Sequence, residues 1–149
     1  MIRVIETPLD LAALFAALPT SGAAATFVGR VRGDDGVTEL LLEHYPGATE
    51  NALEGIAADA IGRWGLSHAA IVHRVGAMAP GEAIVFVAAA AAHRRPALDA
   101  CGFMIDRLKT DAPFWKRETR GREARWVEQR GGDRTAAARW DQDAGLSSS

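Results

Sequence analysis

A single cysteine, Cys101, stands in the 149 residues, so no internal disulfide can form. Neither a CxxC pair nor a Cys/His cluster accompanies it. That argues against structural zinc and for a reducing, cytoplasmic setting. The longest apolar run, residues 83–92, is too short for a membrane span. No basic stretch followed by an apolar one opens the chain, so no signal peptide is expected. Nucleic acid is a poor fit as partner, because no nucleic-acid motif is present and the pI near 6.1 lacks the usual basic footprint. The scarcest charged residue is lysine: Lys109 and Lys116 are the only two, against fifteen arginines. Arginine stays protonated in proteins, whereas lysine can lose its proton when burial or neighbouring cations lower its pKa. Two lysines seven residues apart in such a chain therefore suggest a base or nucleophile. The bland reading is compositional drift of exposed lysine to arginine.

What remains is the make-up of one globular domain, large enough to bury a core unaided: 48% hydrophobic and 24% charged residues. Net charge is −2 but unevenly spread, with −5 over residues 1–93, +4 over residues 94–130 and −1 over the remainder. The basic stretch reads either as an anion site, for phosphate or an acidic partner, or as a solvated face of paired charges.

Periodicity predicts a strand over 2–6 and then a helix with Thr7 as N-cap and Pro8 in its first position. That helix would carry Leu11, Leu14, Phe15 and Leu18 on one face. Strands over 23–31 and 37–45, separated by Gly33-Asp-Asp-Gly36, predict a hairpin. Leu53, Ile56, Ala57, Ala60, Ile61 and Trp64 mark a helix over 48–64, stopped by Gly65. Strands follow over 68–75 and, buried on both faces, over 83–91, with a turn around Pro80-Gly81 between them. Pro96 is expected to open a helix to about Thr110, with Leu98, Cys101, Ile105 and Leu108 inward. Pro113 breaks the chain, residues 114–118 run extended, and 123–129 form a last strand. The mixed order predicts an α+β fold with a largely antiparallel sheet. One domain is expected over residues 1–130, and a flexible tail over 131–149 with a short helix near 134–140 that docks on a partner.

Several stretches could carry chemistry. If the chain turns at Pro113, both lysines face one pocket, with Arg107 and Arg117 as like charges and Phe114 and Trp115 as dry walls that favour a neutral amine. His93-Arg94-Arg95 lies at a strand-to-helix junction, where free N–H groups favour anions, and reads as a phosphate grip or a solvated turn. Arg30 and Arg32 fall on one side of a strand end, as an anion contact or a solvent face. His73-Arg74 and His44 read as structural, and Cys101 as core.

Taken together, Phe27-Val-Gly-Arg-Val-Arg32, Leu42-Glu-His-Tyr45, His73-Arg-Val-Gly76, His93-Arg94, Ile105-Asp-Arg-Leu-Lys109 and Ala112-Pro-Phe-Trp-Lys-Arg-Glu118 resemble the large, catalytic subunit of molybdopterin synthase, in order and spacing, over about residues 23–130. The resemblance implies an α+β fold with an α/β-hammerhead element. The implied activity is sulfur transfer to cyclic pyranopterin monophosphate (precursor Z), which forms the molybdopterin dithiolene. The sulfur would come from the C-terminal Gly-Gly thiocarboxylate of a small ubiquitin-like subunit. The implied assembly is a homodimer of large subunits with a small subunit at each end, without metal or cofactor. Lys109 and Lys116 match the essential lysines. Arg30, Val31, Arg32, His93, Arg94, Lys116, Arg117 and Glu118 match substrate-contacting segments, with Arg130 a further basic match. His93-Arg94 would serve the neighbouring protomer's pocket. The competing readings are a non-catalytic adaptor for the ubiquitin-like partner and a phosphate-ligand module. The residues before 20 and the Ser-rich end beyond Trp140 depart from the pattern, and 119–124 is more basic than expected.

Overall fold

The computed structural model describes residues 1–127 and Trp140. The strands are β1 (Ile2–Ile5), β2 (Ala23–Arg30), β3 (Glu39–His44), β4 (His68–Arg74), β5 (Gly76–Met78), β6 (Ala83–Ala91), β7 (Phe114–Arg120) and β8 (Glu123–Val127). The helices are α1 (Leu11–Ala16), α2 (Ala48–Trp64) and α3 (Arg94–Asp111). Two four-stranded sheets form, in the orders β1-β4-β6-β2 and β5-β3-β7-β8. Every pairing is antiparallel except β1 with β4, so the α+β, mainly antiparallel expectation holds.

The first sheet is covered on both faces, which explains the unbroken apolar run of β6. Val85, Val87, Ala89 and Ala91 face α2 and α3, where they meet Leu53, Ile56, Ala97, Ala100 and Met104. Their alternates Phe86 and Ala88, with Ala70 and Val72, face α1 and Leu14. Alanines at the contact let α3 approach the sheet closely, and full burial of Phe86 alone is worth about 3 kcal/mol. Gly22 permits the sharp entry into β2: its φ is +83° and a Cβ there would lie 2.4 Å from the Ala91 carbonyl oxygen. Gly65 ends α2 in the left-handed conformation (φ 63°, ψ 44°), with its N–H on the Ile61 carbonyl. The second sheet buries one face in a smaller cluster of Val31, Leu40, Leu42, Val75 and Met78.

Several expectations are corrected. The strands β2 and β3 do not form a hairpin but lie in different sheets. Val31 diverts the chain by bonding the 79–82 turn, Asp34–Gly36 makes a 3-10 turn, and β3 finds β5 and β7 as neighbours. The first helix starts at Leu11, not after Thr7, because the Asp10 carboxylate accepts the Ala13 N–H at 3.1 Å. The last helix starts at Arg94 with His93 as N-cap. Pro96 sits inside its first turn, where a missing N–H costs nothing. Leu98 is half exposed rather than inward, and Ala97, Ala100, Phe103 and Met104 take the buried stripe. The short β5 has no periodicity to announce it.

Of the 131–149 expectation, only Trp140 falls within the described residues, as do none of 128–130 from the last strand's end. Its ring packs edge-on against the chain's own Trp64 and Phe103, with centroids 5.8 Å away in both cases. The indole N–H donates to Asp106, and the Arg63 guanidinium donates to the Trp140 carbonyl at 3.2 Å. Trp140→Ala removes these ring contacts and one half-buried hydrogen bond. We expect a loss of about 2 kcal/mol, or roughly 4–8 °C in Tm by calorimetry. An unchanged Tm would mean that this anchor contributes nothing to the fold.

Candidate active site

The two lysines flank the Pro113 break. Lys109 lies in the last turn of α3, and Lys116 is the third residue of β7. Between them the Phe114 N–H turns back to the Ala112 carbonyl at 2.9 Å, a tight bend about Pro113. Register places Lys116 opposite Leu42 of β3 and Val127 of β8. Paired residues share a face, so Lys116 lies on the side of the second sheet that Leu40 and Leu42 turn to the core. Glu118 and Arg120 follow on that face, opposite Arg125 and Glu123. These four charged residues line a cleft of about 270 Å³. Within it Arg120 donates to Glu118 at 3.2 Å and to the Asp35 carbonyl at 2.8 Å.

The proposed environment of the lysines is partly corrected. Alternation puts Trp115 and Arg117 on the opposite face from Lys116. Trp115 stands over half exposed, edge-on to Tyr45 at 6.1 Å, and so is no wall for the lysine. Arg117 sits 5.7 Å from the Trp126 ring centroid. Arg107 is engaged with Asp111 and lies 4.0 Å from Asp59, so its charge is already compensated. Phe114 does pack inward: its ring stacks on His73 at 3.9 Å.

His73 and Arg74 end β4 and are both buried. Burial pushes the His73 imidazole down from 6.5 to about 4; its bond to the Arg74 carbonyl opposes this, and nearby His44 adds to it. His73 is thus a neutral structural imidazole. Cys101 is buried on α3 against β6, and burial pushes its thiol up to about 11, so it makes a poor nucleophile at neutral pH.

Arg30 ends β2 at the sheet edge where β6 begins, opposite Ala83. Its guanidinium donates to the Gly81 carbonyl at 3.0 Å. Val31 turns into the second-sheet core, and Arg32 is exposed. Leu42 lies in the same cluster as Val31 and is the register partner of Lys116, so the Arg30–Arg32 segment and the lysine strand converge on one region. His93 and Arg94 do not join them. They start α3, and fifteen residues of helix place Arg94 about 22 Å along the axis from Lys109. Arg130 lies outside the described residues. Among those residues no three His, Cys, Asp or Glu side chains are grouped to hold a metal, and no helix is long and apolar enough to cross a membrane.

Two four-stranded sheets, three helices and a lysine-bearing strand whose partner Leu42 shares a cluster with Val31 of the Arg30–Arg32 segment define an α+β protein. The family model described as MoaE protein matches residues 4–111. The molybdopterin synthase catalytic subunit of Caulobacter vibrioides is 51% identical over 97% of this chain and 99% of its own length. That of Pseudomonas aeruginosa is 51% identical over 95% and 99%. The solved molybdopterin biosynthesis MoaE protein of Burkholderia ambifaria superposes with a TM-score of 0.81 at 51% identity, covering 95% of this chain and 97% of that one. The chain belongs to the MoaE family.

Proposed function

We propose that the protein is the catalytic subunit of a molybdopterin synthase, a sulfurtransferase of molybdenum cofactor biosynthesis. It transfers sulfur from the thiocarboxylated C-terminus of a small ubiquitin-like subunit to cyclic pyranopterin monophosphate. The observation that carries the reading is the Lys116 strand, whose Glu118 and Arg120 line a cleft and whose partner Leu42 packs in one cluster with Val31 of the Arg30–Arg32 segment. Identity of about half over nearly the full length with catalytic subunits of that enzyme supports it.

The chemistry fits the residue types. A thiocarboxylate and a phosphorylated pterin are both anions and call for a cationic grip. Breaking the acyl–sulfur bond passes through a tetrahedral oxyanion, which an ammonium stabilises. Lys109 holds the thiocarboxylate, and Lys116 binds the pterin and moves protons. Arg30, Val31, Arg32, Arg117, Glu118 and Arg130 shape the substrate site within residues 1–130. Two large subunits pair, each with a small subunit at its outer end, in the cytoplasm. The span of α3 supports the pairing: His93-Arg94 is too far from Lys109 to serve its own pocket and would complete the neighbour's.

Reconstitution tests the proposal. The purified protein, cyclic pyranopterin monophosphate and a thiocarboxylated small subunit should yield dithiolene product. Stoichiometric binding of the small subunit without product would replace the proposal with the adaptor reading.

A further inference from the structure

The Arg30–Arg32 segment is not held by its own strand. Pairing of β2 with β6 is regular to Gly29 opposite Val85, then shifts so that Arg30 faces Ala83. Beyond that bulge the segment rests on the turn between β5 and β6. The Val31 N–H donates to the Glu82 carbonyl at 2.9 Å, and the Gly81 N–H donates to the Val31 carbonyl at 2.8 Å. The Arg30 guanidinium donates to the Gly81 carbonyl, and a Cβ on Gly33 would lie 3.3 Å from the Pro80 side chain. Wherever this turn goes, both arginines follow.

The turn is closed by the Glu82 N–H on the Ala79 carbonyl at 3.2 Å and braced by one carboxylate. Glu82 accepts the Ala79 N–H through one oxygen at 2.6 Å, and its other oxygen lies 3.3 Å from the Arg74 guanidinium. Arg74 is buried at the end of β4, beside the His73 ring that stacks on Phe114 of the lysine strand. It also reaches the Ala77 carbonyl at 3.5 Å, while among the described residues its Nε has no hydrogen-bond partner. A buried guanidinium with a donor to spare is a costly way to stabilise a turn, since an apolar pair of similar volume would serve as well. Its use is geometric: a forked, charged contact fixes direction as well as distance.

We infer that the Arg74–Glu82 bridge is a positioning device for substrate binding, which holds the 79–82 turn so that Arg30 and Arg32 present their charges to the anionic substrate. The inference rests on the proposed function, with Arg30 as a substrate contact. Neither Arg74 nor Glu82 touches substrate in it, so they are positioning residues.

The test is a double-mutant cycle in the reconstituted enzyme, with cyclic pyranopterin monophosphate as the varied substrate. Glu82→Gln keeps an acceptor for the Ala79 N–H and removes the charge that orients Arg74. It should raise KM for the pterin about tenfold, with kcat within about twofold and an unchanged KM for the small subunit. Glu82→Asp, which keeps the charge, should recover part of the loss. Arg30→Ala should raise KM to a similar extent, and adding Glu82→Gln to it should cost little more. If Arg30→Ala leaves KM unchanged, the reading of Arg30 as a substrate contact fails. If Arg30→Ala raises KM but Glu82→Gln does not, or if the two effects multiply in full, the positioning inference is overturned while that reading stands. Glu82→Gln leaves the buried Arg74 charge without its ion-pair partner and should lower stability, so a cooperative thermal transition of each variant confirms that the kinetics are read on folded protein.

Discussion

Replacing Lys116 with Met should lower the rate of dithiolene formation by about 10²–10⁴-fold, and Lys109→Met should do likewise. Neither change should alter folding much: both side chains are exposed, and surface substitutions usually stay within about 0.5 kcal/mol. The lysine-to-arginine variants divide the roles. Arginine keeps the positive charge but does not give up its proton. A lysine that only grips an anion should therefore retain most activity as arginine, whereas one that transfers a proton should not. With Lys109 as the grip and Lys116 as the proton carrier, Lys109→Arg is expected to be the milder change, seen as a raised KM for the small subunit. The reverse ranking would swap the two roles. Full turnover in either Met variant would remove that residue from the chemistry.

That prediction was legible in the chain because rarity is a property of composition, and the two lysines need no structure to be noticed. The bounds of α2 and β6 were equally legible. The first has a long apolar period and a terminal glycine, and the second is a run with no polar residue for either face of its sheet. What escaped depended on partners far away in sequence. A strand-turn-strand pattern favours a hairpin locally, yet β2 and β3 are drawn apart because β6 and β7 offer longer pairings. Leu98 fits a helical stripe by spacing, but rotation of α3 is set by how closely its alanines meet β6. Trp115 sits one residue from Lys116, and strand alternation alone sends it to the other face. The Arg74–Glu82 bridge joins a strand end to a turn eight residues on, and only the fold shows that this turn also carries Arg30.

The pH dependence of stability should reveal His73. The ring is neutral in the folded protein, where burial holds its pKa near 4 against the ordinary 6.5. As pH falls below 6.5 the unfolded chain takes up a proton that the folded protein refuses until about 4. Stability from this group is therefore complete above 6.5, drains away across that window and is flat below it. The shift corresponds to about 3 kcal/mol over the window. Carboxylates add their own acid sensitivity in the lower part of the range. Glu82 is one of them: the bond from the Ala79 N–H, then that from Arg74, lowers its pKa. The comparison that isolates the imidazole is urea unfolding of the wild type and His73→Gln at pH 7.5 and pH 4.5. The glutamine amide can still donate to the Arg74 carbonyl that His73 now contacts, but it does not titrate. Wild type should lose about 2–3 kcal/mol more than the variant between the two conditions. Equal losses would mean that the ring takes its proton without leaving the core. Since His73 stacks on Phe114, two residues before Lys116, the same titration should loosen the start of the lysine strand, and activity should fall in acid before global unfolding begins.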